Sequence, residues 1–126
     1  LDGCASFVNY FCTEKKMTKE RDPHKAVDYI LLHATKFAEA KARRTELEYF
    51  SKSLKAILMK QSGESSIAAQ EREAYAHKDY EVHIAGIKDA TAIEEKLRWD
   101  LKAAELRVEI WRTEQANARQ EFKATV

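Results

Sequence analysis

The sequence predicts an all-α fold from three features: one Pro and three Gly in 126 residues, nineteen Ala, and apolar residues recurring at steps of three and four. So little Gly and Pro rules out a loop-rich fold, and so much Ala builds helix well while filling a core thinly. The architecture expected is an elongated antiparallel hairpin of two long helices with a short helix between them, completed by dimerisation.

The first helix is expected over residues 23–61. Asp22-Pro23 is a strong entry, because Asp accepts from free amides and Pro at the first helical position loses no hydrogen bond. Its apolar stripe reads Val27, Ile30, Ala34, Phe37 and then Leu47, Phe50, Leu54, Ile57. The two sets are offset by one residue near Lys41 to Arg44, which predicts a drift of the stripe or a bend. Ser62-Gly63-Glu64-Ser65-Ser66 supplies a stop and the next cap. A short helix over 67–76 follows, then a break at His77-Lys78-Asp79 with Asp79 as the cap of the last helix, 80–122. Gly86 inside that helix is expected to mark a close backbone contact or a kink.

The last helix has two apolar faces. Its seam, packing on the first helix, is Leu97, Leu101, Ala104, Val108, Trp111, Gln115, Ala118 and Phe122. A second set, Ala92, Trp99, Ala103, Leu106 and Ile110, lies about 180° around, at roughly 100° per residue. A helix apolar on opposite faces needs two partners. The ten-residue helix, roughly 15 Å long, is too short to cover that second face. Trp99, Ala103, Leu106 and Ile110 are therefore the expected interface of a homodimer.

Charge fits the hairpin. The formal net charge is +1, but residues 23–62 carry eight Lys+Arg against four Asp+Glu, and residues 79–126 carry eight against ten. Antiparallel pairing of the long helices is thus favoured electrostatically, by about 0–1 kcal/mol for each exposed pair. A 40-residue helix is about 60 Å long, whereas a compact domain of this length is on the order of 36 Å across.

Residues 1–21 read as an N-terminal extension to a single helical domain over 22–126. Met17 opens a segment of different character, so Phe7, Tyr10 and Phe11 upstream of it carry no expected function. Cys4 and Cys12 form neither a disulfide framework nor a Cys-x-x-Cys motif, which favours a reduced, cytoplasmic setting. Leu1-Asp2-Gly3-Cys4 has a faint look of a lipoprotein cleavage site, but no basic and apolar region precedes it. No apolar run reaches the roughly 18 residues of a membrane helix.

Motifs for chemistry are scarce. Three scattered glycines build no phosphate-binding loop or nucleophile elbow, and no Glu-x-x-His pair of the di-iron bundles occurs. Glu71, Glu73, His77, Asp79 and His83 cluster around the second break; Glu73 and His77, four apart, read better as an exposed helical pair than as metal ligands. Neither a metal nor another cofactor is expected. Lys36, Lys41, Arg43 and Arg44, followed by Lys52, Lys55 and Lys60, form a basic ridge that would suit a DNA-binding accessory protein. Interleaved Glu39, Glu46 and Glu48 favour a solvated face instead. Trp99 and Trp111 fall on the apolar stripes, which assigns them to core or interface rather than to base stacking.

Four segments carry a resemblance: Pro23-His24-Lys25-Ala26-Val27-Asp28, Ala69-Gln70-Glu71-Arg72-Glu73-Ala74-Tyr75-Ala76, Leu97-Arg98-Trp99 and Glu109-Ile110-Trp111-Arg112. In order and spacing they resemble a family of small helical proteins of tailed phages and prophages. The likeness spans about Asp22 to Arg119 and leaves the first sixteen residues unmatched. It implies a bacterial host, and a gene in an early region beside recombination and single-strand-binding functions. The activity it implies is binding: to a protein of phage recombination or replication, or to a host nuclease or CRISPR defence complex that is thereby inhibited. It assigns no catalytic or binding residue.

Overall fold

The computed structural model describes residues 22–126; the N-terminal extension, with Phe7, Tyr10, Phe11, both cysteines and Met17, lies outside them. The described residues form three helices: α1, Pro23–Gln61, of 39 residues; α2, Ile67–Ala76, of 10; and α3, Lys78–Thr125, of 48. No strand occurs among the described residues, and the all-α class is as expected. The chain is arranged as two compact units, His33–Asp100 and Leu1–Leu32 with Leu101–Val126. Among the described residues no helix is long and apolar enough to cross a membrane.

The helix ends follow from local chemistry. Asp22 Oδ1 accepts from the His24 amide at 2.9 Å, as the Asp-Pro entry predicts. After α1 the chain turns at Gly63, whose φ of 69° suits a residue without a Cβ. Ser66 Oγ then caps α2 by accepting from Ala69 N. The second break differs from the expectation. His77, not Asp79, joins the helices: its amide donates to Ala74 O, its carbonyl accepts from Tyr80 N and Glu81 N, and its Nδ1 accepts from Asp79 N at 3.1 Å. With His77 meeting these end groups, α3 begins at Lys78, and Asp79 and Glu81 lie in its first turn, where acidic side chains complement the helix dipole.

Within His33–Asp100, α1 and α3 run antiparallel. Ser51 meets His83, Arg44 meets Glu94, and Phe37 lies under the Arg98 guanidinium, so falling numbers on α1 match rising numbers on α3. α2 is tied to α1 by Lys55 Nζ, which donates to Glu71 Oε1 at 2.8 Å and sits 4.9 Å from the Tyr75 ring centre. Tyr75 and Tyr80 meet edge to face across the His77 junction. The buried groups of this unit are few: Leu58, Ala74, Ala90 and Glu94.

The expected slip in the α1 stripe does not occur. Ala26, Ile30, His33, Phe37, Ala40, Arg44, Leu47, Ser51, Leu54 and Leu58 are all buried or half-buried, and they alternate steps of four and three without interruption. Val27, Ala34, Phe50 and Ile57 are exposed instead. The physical reason is that polar side chains hold seam positions and find partners there, so counting apolar residues alone misplaces the stripe. On α3 the seam begins well before Leu97, running through Tyr80, His83, Ile87, Ala90 and Glu94.

In the other unit the buried residues are Ala26 on α1 and Ala104 on α3, with Leu101 and Val108 half-buried. Cover on α3 stops there. Every residue from Glu109 to Val126 is exposed, Trp111 at 38% and Phe122 at 71% included, so the seam expected to pack as far as Phe122 is free beyond Val108. Length explains the shortfall. Among the described residues, α1 contributes Pro23–Leu32 to this unit, roughly 15 Å of helix, against Leu101–Thr125, roughly 37 Å.

Gly86 marks neither close contact nor crowding, since a Cβ built on it meets nothing within 4 Å. Gly86→Ala should therefore stabilise the protein by about 0.5–1 kcal/mol in urea unfolding. Ala74→Leu, which forces extra volume into a fully buried position, should destabilise it by about 1–3 kcal/mol in the same measurement.

Candidate interaction surface

Behind the exposed faces of α3 lies a polar layer. Glu94, at 1% exposure, accepts from Arg44 of α1 through both carboxylate oxygens, Oε2 from Nε and Oε1 from Nη2. Arg98, one turn on, donates to Glu94 Oε1 at 2.8 Å. The outer donors of the two arginines are also used: Arg44 Nη1 by Glu48 at 2.8 Å, Arg98 Nη1 by Glu95 at 2.5 Å. Each buried charge is thus paired and hydrogen-bonded, the condition for tolerating it in an apolar seam. The Arg44 hydrogen bond holds the Glu94 carboxyl below its ordinary value of 4.5, against burial, which pushes it up. Glu94, and then Glu48, raise the Arg44 guanidinium in turn.

A second polar layer stands further along the same pair. His83 Nε2 is 2.7 Å from Leu47 O, and because a carbonyl only accepts, that nitrogen carries the hydrogen and donates. Ser51 Oγ, 2.9 Å from the same nitrogen, donates to the same carbonyl. The Phe50 ring packs against the imidazole edge at 5.5 Å. His83 is therefore a packing residue, and His77 is a helix junction. Among the described residues no three His, Cys, Asp or Glu side chains converge as a metal site.

The basic ridge does not assemble. Arg44 is half-buried in the Glu94 pair and unavailable to a phosphate. Lys36 and Arg43, seven residues apart, lie within about 20° of one another on α1, but Lys41 lies about 140° from Lys36. The four cations singled out in the sequence thus point to three different sides of one helix.

The second apolar face of α3 is where the sequence places it. Trp99 lies about 140° around the helix from Glu94 within His33–Asp100, and Ala103, Leu106 and Ile110 of the other unit recur at steps of three and four. Trp99 is 68% exposed, Leu106 45% and Ile110 58%, with Ala103 half-buried. The residue that sequence reasoning missed is Glu94. Its signal was present: stepping back from Leu97 by three and four residues passes through Glu94, Ala90, Ile87, His83 and Tyr80. Compared with protein-family models, with curated proteins and with solved structures, the chain matches none.

The depressed Glu94 carboxyl has a direction in pH. A group whose folded-state pKa is lowered stabilises the fold above its unfolded value and loses that contribution as pH falls through the folded value. The difference in Tm between the parent protein and Glu94→Gln should thus be widest above about pH 4.5 and close as the solution is acidified. Thermal melts followed by circular dichroism from pH 7 to pH 2 check this. A gap that widens on acidification would contradict it.

Proposed function

We propose that the protein acts by binding, without catalysis, and that the face of α3 bearing Trp99, Ala103, Leu106 and Ile110 docks a protein partner. The observation that carries this reading is the exposure of a large aromatic and two large aliphatic side chains on the side of a helix whose opposite side is its packing seam. A rigid helix presenting anchors at steps of three and four is a common mode of protein recognition, and exposed Trp is enriched among residues that dominate binding energy.

The identity of the partner is carried by the residue-level resemblance to tailed-phage proteins alone. On that ground the partner is a bacterial or phage protein of DNA metabolism: a recombination or replication protein, or a host nuclease or CRISPR complex whose action is blocked. The DNA-binding alternative is weakened by the geometry, since Lys36, Lys41, Arg43 and Arg44 share no face.

Affinity capture from phage-infected bacteria tests the proposal. The parent chain should retain a nuclease or a recombination protein that the Trp99→Glu, Ile110→Glu variant loses. Both positions are exposed, so helicity by circular dichroism should be unchanged. An identical set of captured proteins for parent and variant would remove this face from the mechanism.

A further inference from the structure

We propose that the end of α3, from Val108 to Phe122, pairs in parallel and in register with the same segment of a second copy of this chain. This goes beyond the partner-binding reading and does not use its surface. It moves the self-association expected at Trp99, Ala103, Leu106 and Ile110 to a different part of the helix.

Three observations converge. The first is that the seam outlives its cover. Trp111, Gln115, Ala118 and Phe122 continue the alternation of steps, yet every residue after Val108 is exposed. A seven-residue repeat with two apolar positions is the signature of a helix that meets another helix.

The second is charge. Along the nearby stretch Glu94–Glu105, ion pairs are made within the helix at spacings of three or four: Arg98 with Glu94 and Glu95, Lys96 with Asp100, Lys102 with Glu105. Arg112, Glu114, Arg119 and Glu121 make no such pair among the described residues. Glu114 and Arg119 are five apart, about 140° around the helix, too far round to meet on one chain. In a two-stranded parallel coil, however, the residue before each first core position faces the residue after the second core position of the following repeat on the other helix. That spacing is five. Glu114 precedes Gln115 and Arg119 follows Ala118, so each copy's Glu114 meets the other's Arg119, twice by symmetry.

The third is orientation. An antiparallel pair would set Arg112 against Arg119 and Glu114 against Glu121, like charges throughout, and is disfavoured. The parallel pair stacks Gln115 on its own copy, where two amides can hydrogen-bond; a polar residue at one core position commonly specifies register at some cost in stability. By the same rule Arg107 would face Arg112 of the other copy, a like pair; Arg107 is half-buried and already engaged, so the favourable charge contact is Glu114 with Arg119 alone and pairing does not extend upstream past Val108.

Sedimentation equilibrium of the full chain, with disulfide trapping, is the test. The parent protein should self-associate into dimers at micromolar concentration. Glu114→Arg should weaken association on the order of tenfold, and adding Arg119→Glu should restore it, because the pair is re-made with reversed sign. In a Cys4→Ser, Cys12→Ser background, Ala118→Cys should oxidise to a covalent dimer, and Asn117→Cys, one residue off the seam, should not. A parent protein that stays monomeric at 100 μM overturns the proposal, as does a dimer indifferent to the Glu114→Arg charge or one trapped equally through Asn117→Cys. Partner capture by the Glu114→Arg chain is a separate readout: capture retained with association lost leaves the docking reading standing, and the converse leaves this one.

Discussion

A carboxylate at 1% exposure in the seam between α1 and α3 constrains how the two helices can align within His33–Asp100. Apolar positions that alternate steps of three and four repeat every seven residues, and by themselves leave shifts of the pairing open. Glu94 does not share that tolerance. Moved by one turn it would lose Arg44, its partner across the seam, and leave the buried carboxylate with Arg98 of its own helix alone, and removing one partner of a buried pair is far costlier than never having had the pair. The network Glu48–Arg44–Glu94–Arg98–Glu95 therefore selects a register that the apolar repeat alone would leave open. The Ser51–Leu47–His83 layer, eleven residues back along α3, fixes the same alignment independently.

That arrangement explains what was legible in the sequence. Boundaries written in local chemistry were readable from it: the Asp22-Pro23 entry, the Ser62–Ser66 turn, and the length of both long helices to within a few residues. The path of the seam was not, because Arg44, Ser51, His83 and Glu94 are polar residues at core positions. A single sequence shows that Arg44 and Glu94 exist, not that they meet across fifty residues. Scoring only apolar residues displaced the stripe to Val27, Ala34, Phe50 and Ile57, which the structure exposes, and placed Arg44 on a basic ridge it does not occupy. His77 was misread for a related reason, since an imidazole nitrogen accepting from a backbone amide leaves no trace in propensity.

The division of α3 into functional stretches follows from where its cover ends. Up to Val108 its seam is occupied, while Trp99 and Leu106, off the seam, are exposed. Beyond Val108 the seam itself is free, and its flanking charges change from spacings that pair within one helix to a spacing that pairs between two. One helix thus carries two exposed surfaces of different chemistry, an apolar face and a charge-flanked seam. The exposed apolar face was visible from periodicity alone. The free seam was not, because its exposure depends on how far α1 reaches.

The central claim is that the Arg44–Glu94 pair sets the alignment of α1 with α3, and a double-mutant cycle in which both are replaced by leucine tests it most directly. Arg44→Leu alone should lower Tm clearly, because Glu94 stays buried without its main partner. The double replacement should recover most of that loss. Equal and additive losses from the two single changes would contradict the account, as would an Arg44→Leu variant as stable as the parent.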